Sequence, residues 1–231
     1  CHDLMLLKAA EGIAGWRPSP VALARFRWST SFLRRAARVI APTEATKRDL
    51  IALRGIPPER IDVVPYGVDA RFRPPGEARR AAVRASIVPA GSMLLSVSTG
   101  DPYKNVPATL RVLAALRRCG TRVMLVRAGR ALDASQRALA ISLGVWDDIV
   151  DLGRVSDERL VELYGAADAL LFPSFWEGYG WPPLEAMACG TPVVASDIAP
   201  LAEVCGDAAM LADPRDIDAL AQATRTVLES A

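Results

Sequence analysis

Phe172-Pro-Ser-Phe-Trp-Glu177-Gly178-Tyr179-Gly180-Trp-Pro182-Pro183-Leu184-Glu185-Ala-Met-Ala-Cys-Gly190-Thr-Pro-Val-Val-Ala-Ser196 reads as a strand, a glycine turn, a short helix and a second strand. The apolar run Ala169 to Pro173 leads into it, and Pro182 and Pro183 suit the first turn of a helix. Gly190 ends that helix before the next apolar run, Pro192 to Ser196. Two short apolar strands joined through a helix make a parallel crossover unit. Glu177 then falls at the C-terminal end of the first strand, where open parallel sheets gather their ligands, and Gly178 and Gly180 let backbone approach a bound group closely. The helix N-terminus is expected to direct free N–H groups and its positive dipole end into the same crevice, as a diphosphate site does. Glu185, expected in the first helical turn, is placed to accept hydrogen bonds from the two hydroxyls of a ribose.

The same alternation extends outward. Apolar, β-rich runs at Arg38 to Ala41, Ile61 to Pro65, Met93 to Ser98, Val123 to Ala128, Ile149 to Leu152 and Ala208 to Leu211 are separated by helical segments. This predicts an α/β fold, a parallel sheet with helices on both faces. Thr43 caps a helix over Glu44 to Arg54 that Gly55 closes; Gly120 closes a second, Pro107 to Cys119; Ser156 opens a third, with Asp157 and Glu158 suited to its positive end. Gly67, Pro74, Pro75, Gly76, Pro89 and Gly91 interrupt the polar stretch from Tyr66 to Met93 and mark the domain boundary. Residues 1–75 are read as the end of an N-terminal domain with its linker, and 76–231 as a self-contained α/β domain. The first unit shows only a pair of strands, against about 4–6 in a usual sheet. With the abrupt start at His2-Asp3-Leu4 and the close in a helix at Glu229-Ser230-Ala231, the expectation is a fragment of a longer two-domain enzyme.

Composition narrows the class. With 51% hydrophobic and 23% charged residues in 231, the chain is no disordered tail, coiled coil or collagen-like repeat. No run approaches the roughly 18–20 apolar residues of a membrane-spanning helix, and no export signal opens it. The cysteines Cys1, Cys119, Cys189 and Cys205 form no C-x-x-C pair and His2 is the sole histidine, too few clustered ligands for a zinc site. They read as reduced thiols of a cytoplasmic protein. Residues 1–90 hold 16 Lys/Arg against 8 Asp/Glu, a charge of +8, and the rest 12 against 18, or −6. The densest cluster, Arg25, Arg27, Arg34, Arg35 and Arg38, is either a solvated helix face or a peripheral contact with an anionic membrane surface. The near-neutral balance argues against nucleic acid as a partner. Ser174 lies in no G-x-S-x-G elbow, and Gly178-x-Gly180 lacks the third glycine of a dinucleotide fingerprint.

Glu177 and Glu185, with the glycines and prolines between them, resemble the E-x7-E region of retaining family 4 glycosyltransferases of the GT-B fold. The resemblance covers nearly the whole chain. Arg38 to Leu50 is similar to the end of that family's N-terminal domain, Ile61-Asp-Val-Val-Pro-Tyr-Gly-Val-Asp69 to its passage into the C-terminal domain, and Asp101-Pro-Tyr-Lys104-Asn105 to its lysine–asparagine loop. It implies a Rossmann-like donor-side domain and a truncated second Rossmann-like domain, and a nucleoside diphosphate sugar as co-substrate with no metal or other cofactor. It also implies a glycan or lipid-linked acceptor in surface polysaccharide synthesis. The pattern from Thr99 to Asn105 looks most like bacterial mannosyltransferases, which favours GDP-mannose, with a UDP-sugar as runner-up.

On that resemblance Glu185, with Leu184, holds the donor ribose, and Glu177 contacts the transferred sugar. The amides of Gly178, Tyr179 and Gly180 bracket sugar and phosphate. Lys104 neutralises the departing diphosphate, the backbone of Arg154 and Val155 grips the base, and His2 faces the sugar across the cleft. Thr99 and Tyr103 stand where various members carry a phosphate-binding arginine; Arg130 is the candidate substitute, a solvated arginine being the equal alternative. Asp216-Ile-Asp218 spells the metal signature of another glycosyltransferase architecture, but it is remote from the cleft motifs and is expected to be solvated. A sugar-nucleotide epimerase of similar build and a non-catalytic nucleotide-sugar-binding module are the rival functions.

Overall fold

A computed structural model describes residues 1–10, 12 and 17–230. All eight apolar runs fold as strands: β1 Val39–Ala41, β2 Ile61–Val63, β3 Ser92–Ser98, β4 Val123–Gly129, β5 Ile149–Asp151, β6 Ala169–Phe172, β7 Val193–Ser196 and β8 Ala209–Ala212. The helices are α1 Met5–Ala10, α2 Pro20–Ser31, α3 Glu44–Arg54, α4 Glu77–Ile87, α5 Val106–Arg118, α6 Ala134–Ser142, α7 Asp157–Ala166, α8 Trp181–Ala188, α9 Ala199–Cys205 and α10 Ile217–Ser230. Local chemistry sets their ends. The Thr43 hydroxyl accepts from the Thr46 amide, Ser156 does the same for Arg159, and Gly55 closes α3 at φ 59°, a conformation that costs glycine little.

β1 and β2 pair in parallel, and the other six strands form one parallel sheet in the order β5-β4-β3-β6-β7-β8. The predicted α/β architecture is the observed one. Side chains alternate between the faces of the larger sheet. Met93, Leu95, Val126, Leu170 and Val193 pack toward α4, α7, α8 and α9. Leu94, Leu125, Leu171 and Val194 pack toward α5, α6 and α10. With both faces covered, the strands are apolar at nearly every position, as parallel sheets require. The chain lays β3, β4 and β5 outward in one direction; α7 then carries it back to β6 on the other side of β3. This reversal opens a crevice beyond the C-terminal ends of β3 and β6.

The smaller unit has its own apolar cluster, Leu4, Leu7, Val39, Ala41, Leu50, Ile56 and Ile61. It docks on the larger one through polar contacts at helix ends. Glu203 of α9 accepts from the amides of Glu44 and Ala45 at 2.6 and 3.2 Å, supplying the N-terminus of α3 with acceptors and a negative charge. The hydroxyls of Thr43 and Thr46 each donate to the Gly178 carbonyl at 3.4 Å. Part of the basic cluster is structural. Arg34 Nε donates to the Arg54 carbonyl at 2.6 Å, and Arg38 pairs with Asp62 and donates to the Glu59 carbonyl.

Candidate active site

The crevice is built from two loops. Residues 99–105 follow β3, and residues 173–180 follow β6. Three contacts tie them. The Phe175 amide donates to the Tyr103 carbonyl at 2.8 Å, Asn105 Nδ2 donates to the Pro173 carbonyl at 3.0 Å, and Lys104 Nζ lies 2.7 Å from Glu177 Oε1. Asn105 is the single non-glycine residue at positive φ among the described residues, at 54°, a region asparagine tolerates. Its side chain, which also donates to the Pro214 carbonyl at 2.9 Å, anchors the loop and so aims Lys104 into the crevice. Side-chain exposures of 12% and 10% make Lys104–Glu177 a largely buried ion pair, and the ammonium lies about 5 Å from the rings of Tyr103 and Phe172.

Two cavities meet at Lys104 and Pro182. One, of about 270 Å³, is lined by Thr99, Arg130 and Arg154. The other, of about 260 Å³, is lined by His2, Asp3, Tyr66, Glu177 and the segment Gly178 to Trp181. The structure thus gathers His2, Thr99, Lys104, Arg130, Arg154, Glu177, Gly178, Tyr179 and Gly180 around one cleft, although they are scattered through the sequence. Leu184, Glu185 and Val155 line neither cavity. Val155 packs its side chain on the core, leaving its backbone as its polar surface. Leu184 donates its amide to the Gly180 carbonyl within α8.

Two expectations about α8 need correction. Its cap is Gly180, held at φ 107°, so the helix starts at Trp181 and Glu185 sits in the second turn rather than the first. Pro182 and Pro183 carry no N–H, so the first turn offers the Trp181 amide together with the dipole, not a set of free amides. Glu185 is half-buried and accepts from the Tyr164 hydroxyl at 2.9 Å; burial raises its carboxyl above the usual range, partly offset by that hydrogen bond. The phenol of Tyr103 is pushed up to about 12 by burial, so it stays a neutral hydrogen-bonding group. Burial likewise pushes the thiols of Cys189 and Cys205 up to about 11, which leaves them unreactive near neutral pH. Asp216 accepts from the Ala219 amide as the cap of α10, and both it and Asp218 are exposed, as expected. Among the described residues no group of three or more His, Cys, Asp or Glu could hold a metal ion.

Sequence reasoning gave no site role to Tyr66, Asp3 or Asn105, although Asn105 stands in the lysine–asparagine loop that the resemblance picks out. Tyr66 hydrogen-bonds His2 Nδ1 through its hydroxyl, accepts from the Tyr179 hydroxyl at 2.7 Å through its carbonyl, and stacks on Trp181 with centroids 5.1 Å apart. A Cβ on Gly178 would lie 2.8 Å from Asp3 Cβ and 3.0 Å from the His2 carbonyl, so glycine here lets the two units close on each other. The signal for Asn105, an asparagine opening a helix beside a lysine, was present in the sequence. Tyr66 lies in the segment that resembles the passage between the domains, but nothing local marks it as a cleft residue.

Residues 85–231 match the family described as Glycosyl transferases group 1, and residues 1–72 match Glycosyltransferase Family 4. A D-inositol 3-phosphate glycosyltransferase of Nocardia farcinica is 33% identical over 217 residues, covering 90% of this chain and 48% of that protein. O-antigen chain mannosyltransferase B of Escherichia coli is 32% identical over 190 residues, 80% of this chain and 50% of that protein. The structure of Anabaena HepE in complex with UDP-glucose superposes with a TM-score of 0.79 at 25% identity, over 88% of this chain and 57% of that one. Sucrose-phosphate synthase from Thermosynechococcus elongatus shares the fold, with a TM-score of 0.78 at 22% identity over 97% of this chain and 56% of that one. The chain spans about half the length of the curated relatives it matches. A parallel sheet with its cleft at the strand-order reversal, GT-B structural neighbours and a family match over most of its length agree: the chain belongs to the group 1 glycosyl transferases.

Proposed function

We propose that this chain carries the donor site of a retaining glycosyltransferase that uses a nucleoside diphosphate sugar. The carrying observation is the meeting of Lys104, Glu177 and the N-terminus of α8 at the strand-order reversal, beside a cavity walled by Thr99, Arg130 and Arg154. In this reading residues 76–231 are the donor side and residues 1–75 belong to the acceptor side and linker. Glu185 and Leu184 take the ribose, and the backbone of Arg154 and Val155 takes the base. The amides of Gly178, Tyr179 and Gly180 bracket sugar and phosphate, Glu177 binds hydroxyls of the transferred sugar, and His2 faces that sugar from the smaller unit. Negative charge grows on the leaving diphosphate as the glycosidic bond breaks, and a fixed ammonium with a helix dipole stabilises that charge more in the transition state than in the ground state. The acceptor hydroxyl attacks on the face from which the diphosphate departs and passes its proton to the leaving phosphate oxygen. The step thus needs neither a separate base nor a metal.

GDP-mannose is the donor we favour, and the similarity to a mannosyltransferase supports mannose as the sugar. A UDP-sugar is the second reading, supported by the likeness to HepE bound to UDP-glucose. The acceptor is a glycan or lipid-linked sugar of surface polysaccharide synthesis. Calorimetric titration with GDP, GDP-mannose, UDP and UDP-glucose separates the donors: a preference of about tenfold, some 1.4 kcal/mol, decides between the bases. Failure of every nucleotide to bind removes the donor-site reading. Product analysis then distinguishes transfer from epimerisation and from binding alone.

No helix among the described residues is long and apolar enough to cross a membrane. The exposed face of α2 and of the turn that follows it supports a peripheral contact with an anionic bilayer from the cytoplasmic side. Val21, Trp28 and Phe32 are 71%, 69% and 46% exposed and share one face with Arg25, while Arg35 lies over the Phe32 ring. Sedimentation with phosphatidylglycerol vesicles, lost in Trp28→Ser and absent with phosphatidylcholine, is the expected result. Equal binding to both lipids would remove this contact.

A further inference from the structure

Arg127 is an arginine inside a parallel sheet. It lies in β4 on the face that carries Val123 and Leu125, and its side chain is fully buried. An aliphatic residue would fill that place without taking a guanidinium out of water, a costly transfer unless the charge is paired. The pairing here is specific. Arg127 Nη1 reaches Asp151 Oδ2 at 3.3 Å across the β4–β5 register, and Nη2 donates to the Arg130 carbonyl at 3.4 Å. The same Asp151 oxygen accepts from the Leu132 amide at 2.7 Å. Together the two side chains hold both ends of the 130–132 turn. Arg127 Nε and Asp151 Oδ1 find no hydrogen-bond partner among the described residues, so satisfying the pair's own polar atoms is not what the arrangement achieves.

That turn carries Arg130 to the cleft. The Arg130 amide donates to the Ser98 carbonyl at 3.0 Å, and the side-chain stem crosses Gly100, where an added Cβ would come within 3.3 Å of Arg130 Cδ. Arg130 borders the cavity shared with Thr99, Lys104 and Arg154. Lys104 is already engaged with Glu177, and the Thr99 hydroxyl donates to Asp101. Arg130 makes no salt bridge among the described residues, and its charge acts on Asp133 only as the last of the influences that hold that carboxyl down, so it can meet an anion in the cavity. Resting on the reading of this cavity as the diphosphate site, we infer that Arg127 and Asp151 are positioning residues. They lock the 130–132 turn so that Arg130 is presented to the diphosphate of the donor.

The test is a double-mutant cycle on ligand affinity in the chain, with GDP and UDP as diphosphate probes and guanosine and uridine as controls lacking phosphate. Arg130→Ala should weaken the better-bound diphosphate about tenfold and leave its nucleoside unchanged. Arg127→Met should weaken the diphosphate to a similar extent, and the double variant should bind no more weakly than Arg130→Ala alone. Asp151→Asn, which keeps an acceptor for the Leu132 amide, should fall between wild type and Arg127→Met; it carries the cycle if Arg127→Met does not fold. A merely structural Arg127 would lower nucleoside and diphosphate affinity together, or multiply its loss with that of Arg130→Ala, and either result overturns the inference. Unchanged diphosphate affinity in Arg130→Ala overturns it too, while leaving the donor site standing. Failure of the wild-type chain to bind either nucleotide overturns the site reading and this inference with it.

Discussion

Replacing Lys104 by methionine keeps the stem against Tyr103 and Phe172 and removes the ammonium that lies 2.7 Å from Glu177. The carboxylate, only 10% exposed, is then left without its partner. Breaking a buried pair from one side costs about 3–5 kcal/mol. Glu177 borders a cavity that admits water, which puts Lys104→Met at the lower end, about 3 kcal/mol. For a chain of this length 1 kcal/mol moves the melting temperature by about 2–4 °C, so the expected fall is about 6–12 °C. Glu177→Gln leaves the ammonium facing a neutral amide and should cost less, about 1–2 kcal/mol. The double variant buries neither charge, so it should be more stable than the summed single losses by about 1–3 kcal/mol. Thermal and denaturant unfolding of the four proteins measures this directly. Coupling below about 0.5 kcal/mol would refute the view that these two charges hold each other in place. Titrations of the same proteins with GDP and UDP should show Lys104→Met losing diphosphate affinity while keeping nucleoside affinity.

Glu185→Ala should weaken nucleotide binding in the chain, and wild-type affinity should fall on acidification while the pH is still above the usual glutamate range, because burial raises this carboxyl and only its ionised form accepts both ribose hydrogen bonds. For stability the sign is opposite: Glu185 favours the fold most below the ordinary glutamate value, and that contribution fades as pH rises through the raised one. A Glu185→Gln titration with the wild-type pH profile would count against both statements. Gly129→Ala places a Cβ 2.0 Å from the Ser98 carbonyl oxygen at a φ of 123°, so it should cost more than about 3 kcal/mol or prevent folding. Gly144→Ala, with open space around it at φ 70°, should cost only about 1–2 kcal/mol in the same unfolding assay. Sugar transfer should persist in excess chelator; activity lost there and restored by magnesium or manganese would give the reaction a metal.

Strands, helix ends and the glycine turn were legible because their causes are local. Thr43, Ser156 and Gly55 act within one helical turn of themselves, and apolar runs such as Val123 to Ala128 declare a two-sided strand wherever they sit in the sheet. Glu177 and Lys104 could be picked out one at a time, from a loop after a strand and a lysine beside an asparagine. Their 2.7 Å contact across 73 positions could not be, since it exists only because β6 returns to the far side of β3. Glu185 falls in the second turn because the helix starts at Trp181, one residue before the two prolines, where Gly180 takes a φ of 107° that side-chain-bearing residues rarely adopt. Tyr66, Asp3 and Arg127 carried no pattern of their own. Tyr66 and Asp3 meet the cleft because the smaller unit closes at Gly178, and Arg127 becomes a buried tie because the β4–β5 register sets it opposite Asp151. The sequence by itself determined which segments become strands and helices, through propensity and capping within a few residues. Tertiary structure alone decided which of their ends share a cleft, since strand order and register rest on contacts between distant segments.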